Sequence, residues 1–428
     1  MIATTLIVLF GLMILSVPVA AVLGLTGVIL SALYAFIPAT RAAGTISWSA
    51  MNDGILVAVP LFVLMGEILL RSGVAARMYG AMAGWLSWLP GGLMHANIGT
   101  SMLFAATSGS SVATAATVGT TAIPEIKRHG YNEPLFLGSI AASGTLGILI
   151  PPSINLIIYG ALTNASIPSL YLAGFIPGIG LALMFSLTVW IICRLRPDMA
   201  GDSIHVSWAE RRNGLPHLIP PIAIFFLVVG SIYAGWATPT EAAALGVLGA
   251  LGIAALSRSL TRAMLHAAFS GTMRTTGMLL AIVMAAYFLN YIFGSVGLTT
   301  NVVRFFEGLT WGPVWTLITI IVFYLLLGLF METLSLMVAT VPIFAPIVVS
   351  LGYDPVWFGI LVILLIETAM ITPPVGINLF VVQGVRGPGG PLSDVVRGVL
   401  PFLATLLMAV VLVVLFPQIV LFLPEWLG

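Results

Sequence analysis

The feature that most constrains this chain is an internal duplication. Pro124, Gly130, Tyr131, Pro151 and Pro152 each recur 222 positions later, as Pro346, Gly352, Tyr353, Pro373 and Pro374. In the same register Ser110 and Ser111 fall on Glu332 and Thr333. Each copy places small or polar residues inside an apolar run and follows them with a Pro-Pro break. In the first copy these are Ser108-Gly109-Ser110-Ser111 and Gly147 to Ser153. The surroundings decide what such a pattern means. The chain is 60% hydrophobic and only 7% charged, with a mean hydropathy of +1.15, whereas a soluble domain carries roughly 25% charged residues. It is therefore a polytopic membrane protein. A bilayer tolerates free backbone polar groups only where protein encloses them. Each copy is thus expected to form a re-entrant helical hairpin followed by a broken transmembrane helix, the layout of secondary transporters.

Taken in order, the apolar run 3–36 contains Pro18 near its middle and reads as one long kinked span or two short ones, the single span being favoured. A span over 55–70 and an interfacial amphipathic helix over 74–90 follow, the latter carrying Arg77, Trp85 and Trp88. The first hairpin is 92–126, with arms of about 15 residues, short for a full crossing. Its exit carries Lys127, Arg128 and His129, which places it in the cytoplasm. The broken helix occupies 133–162, and a return span over 169–193 ends in Arg194 and Arg196. Residues 1–200 form the first repeat, 201–215 a charged cytoplasmic connector, and 216–428 the second repeat. Arg258, Arg262 and Arg274 mark another cytoplasmic stretch before a span at 275–293 and a connector over 294–312 with Trp311. The second hairpin is 313–349 and the second broken helix 356–385. The second hairpin's exit, Ser350 to Asp354, has no Lys or Arg. The second copy is therefore inverted relative to the first. The fold expected is all-α, with two inverted repeats and about nine to eleven spans plus two hairpins.

Broken helices expose carbonyls and helix termini at membrane depth, and these suit hard cations and anions respectively. The hydroxyl oxygens in the two clusters are those of Ser108, Ser110, Ser111 and Thr114 in the first repeat, and Thr333, Ser335, Thr368 and Thr372 in the second. Gly109, Gly144, Gly147, Gly328 and Gly376 let backbone approach closely. Asn155 and Asn378 follow the two breaks, where an amide could meet a substrate. Small residues also serve helix packing, but packing does not require duplication. Three acids lie at membrane depth. Glu67 has Arg71 at i+4 and reads as a helix-end ion pair, while Glu332 and Glu367 read as ion ligands or supports of the broken helix. Thr238-Pro239-Thr240-Glu241 has capping-box spacing. The single cysteine, Cys193, excludes an internal disulfide, and no metal-ligand spacing or phosphate-binding GxxxxGK[ST] loop occurs. No basic patch suggests nucleic acid.

Several stretches together carry a specific resemblance. They are Pro60 to Glu67, Ser108 to Thr114, Leu149 to Ile154, Ala173 to Gly178, Thr238 to Ala243 and Ile371 to Asn378. The chain resembles the large membrane subunit of tripartite ATP-independent periplasmic (TRAP) transporters. That resemblance implies an elevator-type, Na+-coupled importer of organic anions in the bacterial cytoplasmic (inner) membrane. It also implies two partners, a small four-helix membrane subunit and a periplasmic substrate-binding protein. Carried onto this chain, one sodium site comprises Ser108, Gly109, Ser110 and Ser111 with Gly144 and Gly147. The other comprises Gly328, Glu332 and Thr333 with Thr368, Thr372 and Pro373. Substrate would lie between the tips, touching Ser111, Thr114, Asn155, Ser335 and Asn378.

The alternative is a stand-alone sodium- or proton-coupled anion carrier of the same fold. An intramembrane enzyme is disfavoured: Ala106-Thr107-Ser108-Gly109 resembles a serine-protease motif only loosely, and His95 is the one histidine at membrane depth. A channel fits inverted broken repeats less well than alternating access does.

Overall fold

A computed structural model describes residues 1–35, 40–202, 206–298, 300–302, 304 and 312–427. All regular structure among them is helical. Trp311, residue 36 of the N-terminal run and residues 203–205 of the connector lie outside the described residues. Helices start where the sequence supplies caps. Ser110 has extended backbone, and its hydroxyl accepts the Ala113 N–H at 3.3 Å, starting the helix Ser111–Arg128. Asn132 accepts from Leu135 N–H ahead of Glu133–Gly144. Asp354 accepts from Val356 and Trp357 N–H ahead of Pro355–Ile371. Thr238 and Glu241 form the expected reciprocal capping box.

Six described helices are long and apolar enough to cross a membrane, or eight if each bent pair counts as one span. The other apolar elements are shorter helices, among them Ile2–Ile14, Val19–Tyr34, Gly312–Gly328 and Pro355–Ile371. Two expectations need correction. The run 3–36 is not the favoured single kinked span but the alternative of two short helices, which form an antiparallel pair with Thr4 Oγ1 2.8 Å from Tyr34 Oη. Ser16 in left-handed backbone (φ 59°) and Pro18 with extended ψ reverse the chain between the two helices. Arg262 and Arg274 do not sit in a loop. They belong to a continuous 34-residue helix, Arg262–Ser295, capped by Thr261. At 1.5 Å per residue it is about 50 Å long, well beyond the apolar thickness of a bilayer.

The 222-residue register holds in three dimensions. Ser111–Arg128 maps onto Thr333–Ser350, and Glu133 to Leu149 onto Pro355–Ile371, end for end. Two contacts show the inversion directly. Arg386, ending the second broken helix, donates to Glu133 at the start of the first (2.8 Å). Conversely, Tyr159 near the end of the first donates to the Pro355 carbonyl at the start of the second (2.6 Å). The start of each broken helix therefore meets the end of the other, as a two-fold in the membrane plane requires. A further helix, Leu392–Leu415, packs closely on the start of the first broken helix: a methyl placed on Gly398 would lie 1.7 Å from the Pro134 carbonyl oxygen, so only glycine lets these two helices meet there. The core is correspondingly uneven. The most apolar window of the hairpin arm Thr333–Ser350 is 78% buried, against 28% for Pro239–Leu256. The broken helices, the first hairpin and the arm Thr333–Ser350 lie towards the centre, while the arm Gly312–Gly328 and the remaining spans show apolar faces outward.

Candidate functional site

The first hairpin reverses in two residues. Gly92–Ser108 ends at Gly109 in left-handed backbone (φ +58°), and Ser110 opens the return arm. A side chain at 109 would be strained. The Ser108 and Thr114 hydroxyls are 2.8 Å apart, and Thr114 also donates to the Ser110 carbonyl at 2.8 Å. The turn therefore closes on its own hydroxyls.

This tip rests in the first break. A methyl on Gly147 would be 2.6 Å from the Ser110 carbonyl oxygen, and one on Gly109 3.3 Å from that of Pro152. On the opposite side the helix Ala58–Arg71 presses Gly66 against Ser108, where a methyl would be 3.3 Å from its carbonyl. Beside the tip is a cavity of about 110 Å³ bordered by Ser108, Ser110, Glu67 and Thr275. That volume could hold an ion and a few waters, each water taking roughly 30 Å³. Glu67 borders it while paired with Arg71 at 2.9 Å, the ion pair expected from their spacing.

Ser111 turns the other way, into the protein's centre. Its hydroxyl donates to Glu367 Oε1 at 2.8 Å and lies 3.3 Å from the Thr145 carbonyl. In the repeat register Thr145 and Glu367 are equivalent positions, so this cluster sits where the two halves cross. Glu367 is fully buried, and its Oε2 has no protein hydrogen-bond partner among the described residues. Close by, the Asn378 amide donates to the Ala141 carbonyl at 3.2 Å, while its Oδ1 is unpartnered. The same amide nitrogen would lie 3.2 Å from a methyl on Gly144. Ser111, Gly144, Thr145, Glu367 and Asn378 thus gather around one joint between the repeats.

The second tip is built differently. Glu332 caps Thr333–Ser350, its Oε2 accepting from Ser335 N–H and Oγ–H at 3.1 and 3.0 Å. No hydrogen bond joins it to Thr368, Thr372 or Pro373 among the described residues. Thr333 donates to Met370 Sδ (3.1 Å), Thr372 to the Thr368 carbonyl (2.6 Å) and Thr368 to Leu364 (2.7 Å). Gly328 packs on Ala369, whose Cβ would be 2.2 Å from an added methyl. Gly376, after the second break, lies against the Met370 carbonyl. Of the first-repeat residues expected at the site, Ser108 and Ser110 border the tip cavity and Ser111 and Gly144 the central joint, whereas Ser335 is turned to Glu332 and Asn155 is buried after its own break.

Sequence reasoning weighed Glu367 but left it out of the ligand set; only the fold reveals its bond to Ser111. It also missed two paired hydrogen bonds between the first hairpin and the first broken helix. These are Asn97 to Ser139 and Ser101 to Ser143, both 2.9 Å. The matching i, i+4 spacing of both pairs was the available signal. His95 is tied to the Pro90 carbonyl through Nε2 and to Ser186 through Nδ1, and takes no part at the tip.

Inverted repeats, each with a re-entrant hairpin and a broken helix meeting at a central polar joint, define a secondary-transporter fold. Comparison with known proteins makes this specific. Residues 6–419 match the family described as tripartite ATP-independent periplasmic transporter, DctM component. The chain is 35% identical to the C4-dicarboxylate TRAP transporter large permease protein DctM of Pseudomonas aeruginosa, over 87% of each chain. It is 34% identical to the sialic acid TRAP transporter large permease protein SiaM of Vibrio cholerae, over 86% of each. The crystal structure of the Alcanivorax borkumensis YdaH transporter superposes with a TM-score of 0.65, covering 97% of this chain and 98% of that one. At 16% identity that likeness is one of fold. The chain belongs to the DctM family, the large permease subunits of TRAP transporters. It is a transporter component, not an enzyme.

Proposed function

We propose that this permease imports small organic anions, carboxylates in particular, by sodium symport. In this reading the hairpins and broken helices move together as an elevator against the outer spans. The observation that carries it is the first tip. Ser108 and Ser110, with Glu67 and Thr275, put oxygens on a small cavity whose walls are otherwise apolar, while Ser111 reaches Glu367 of the opposite repeat. Hydroxyls and carbonyls of this kind suit a hard cation such as Na+. The relatives' named substrates, C4-dicarboxylates and sialic acid, are both carboxylic acids. Charge-bearing substrate would meet the helix N-termini opened by the two breaks. In the same proposal a small membrane subunit and a periplasmic binding protein complete the transporter, and the assembly sits in the cytoplasmic membrane.

The test is reconstitution. Affinity purification from the native membrane should bring down a small helical membrane protein, and liposomes containing both should import the ligand of the cognate binding protein only with an inward sodium gradient. Ser110→Ala and Thr372→Ala should each raise the sodium concentration for half-maximal uptake while leaving the protein folded. Unchanged sodium activation in both would sink the ion-site assignment. Sodium-dependent uptake by the chain alone, without a binding protein, would establish the stand-alone carrier instead.

A further inference from the structure

A second site lies at the far end of the molecule, away from the tips. Between the end of Ile167–Leu195, the start of Glu133–Gly144 and the start of Leu392–Leu415 is a cleft of about 490 Å³. Its rim carries Arg196 and Arg397, and its walls include Ile192, Leu195, Leu135 and Pro401. Neither guanidinium has an ion-pair or hydrogen-bond partner among the described residues. Two neighbouring acids are already engaged, since Arg386, buried next door, holds Glu133 at 2.8 Å and Asp394 at 3.0 Å, and the exposed Asp198, two residues on, makes no ion pair with Arg196. The cleft therefore keeps two uncompensated positive charges over an apolar floor.

Its depth in the membrane matters as much as its charge. Arg196 directly follows a 29-residue apolar helix, so the guanidiniums sit at the membrane–water boundary with the apolar wall on the bilayer side. Leu195 is 77% exposed there. A soluble anion would use the arginines and leave the apolar wall wet. A neutral lipid would use the wall and leave the charges unpaired. A ligand with a phosphate head and acyl chains satisfies both, because guanidinium groups pair well with phosphate oxygens and basic pockets at helix ends recruit anionic head groups.

We infer that this cleft binds an anionic phospholipid, its phosphate held between Arg196 and Arg397 and an acyl chain laid along Ile192 and Leu195. The inference does not depend on sodium coupling or on the transported substrate. The experiment is native mass spectrometry of the full-length chain, extracted in mild detergent and exchanged into nanodiscs of phosphatidylglycerol or phosphatidylcholine. Wild type should retain phosphatidylglycerol in preference to phosphatidylcholine. Loss of one surface arginine should weaken retention about fivefold, and the Arg196→Ala, Arg397→Ala double variant about thirtyfold. Arg194→Ala, which removes a charge outside the cleft, should leave retention unchanged. Equal retention of the two lipids, no effect of the double variant, or an equal effect of Arg194→Ala would each overturn the proposal. Displacement of the lipid by millimolar inorganic phosphate would also overturn it, by showing a soluble-anion site. All three arginines are exposed, and monodisperse elution of each variant is the check that it has folded.

Discussion

The two hairpin tips occupy equivalent places in the repeats but are secured by opposite means. The first is held by backbone. It is seated on Gly147, where no side chain intervenes, and its Ser111 reaches across to Glu367. The second is held by side chains. The residue equivalent to Gly147 is Ala369, and its methyl is accommodated by Gly328 on the facing arm. Ser110 caps the first return arm with a neutral hydroxyl, and Glu332 caps the second with a carboxylate. Duplication thus preserved the shape while the two contacts diverged. A glycine missing on one surface is made good by a glycine on the other. The polar atoms diverged as well. At the first tip most hydroxyls also bond locally, but Ser111 reaches the joint between repeats, whereas around the second the polar atoms are spent on local capping, a methionine sulfur and helix carbonyls.

Substitutions at the seats should show the largest effects. Gly147→Val places atoms against backbone that cannot move without displacing the tip, and should cost about 3 kcal/mol with loss of uptake. Gly328→Ala meets only a methyl, so pairing it with Ala369→Gly should restore thermal stability, as read by unfolding of the detergent-solubilised protein. Failure of that rescue would mean the second tip is seated on something other than this contact.

Hydroxyl deletions should rank next. Ser111→Ala removes the one donor to a buried carboxylate and should cost about 1–3 kcal/mol. Thr333→Ala loses only a bond to thioether sulfur and should cost less than about 1 kcal/mol. Equal melting temperatures for the two variants would erase the asymmetry argued above. Smaller still is Arg71→Ala. The Glu67–Arg71 pair is partly exposed, so its loss should change stability by about 0–1 kcal/mol. The inversion itself can be tested by labelling. Cysteines at Lys127 and Asp354 should react with impermeant reagents from opposite sides of the membrane, and same-side labelling would contradict it.

Much of the architecture was legible because membrane folding leaves few options. Low charge and long apolar runs demanded helices, the Pro-Pro breaks marked interrupted spans, and basic residues after the first hairpin but not the second announced inversion. The capping box at Thr238 and Glu241 forms as its spacing suggested, while Asn132 and Asp354 cap helices that the sequence reading started nearby without naming their caps. Reversals and helix lengths at the edges were less legible. Nothing in composition distinguishes a kink at Pro18 from a turn through Ser16, because left-handed backbone at a serine is imposed by packing rather than by propensity. Arg262 and Arg274 read as loop residues because charge marks the membrane boundary, whereas a helix may continue past it.

What the sequence determined by itself is the repeat, its register and its inversion, since these follow from residue identity at a fixed offset and from where charge cannot enter lipid. Which polar groups meet was decided by tertiary structure. Ser111 and Glu367 are 256 positions apart, and the offset pairs Ser111 with Thr333 and Glu367 with Thr145 rather than with each other. Their contact depends on how the return arm of the first hairpin seats in the centre, where Gly147 lets its backbone come close, and is not recorded in the local sequence of either helix.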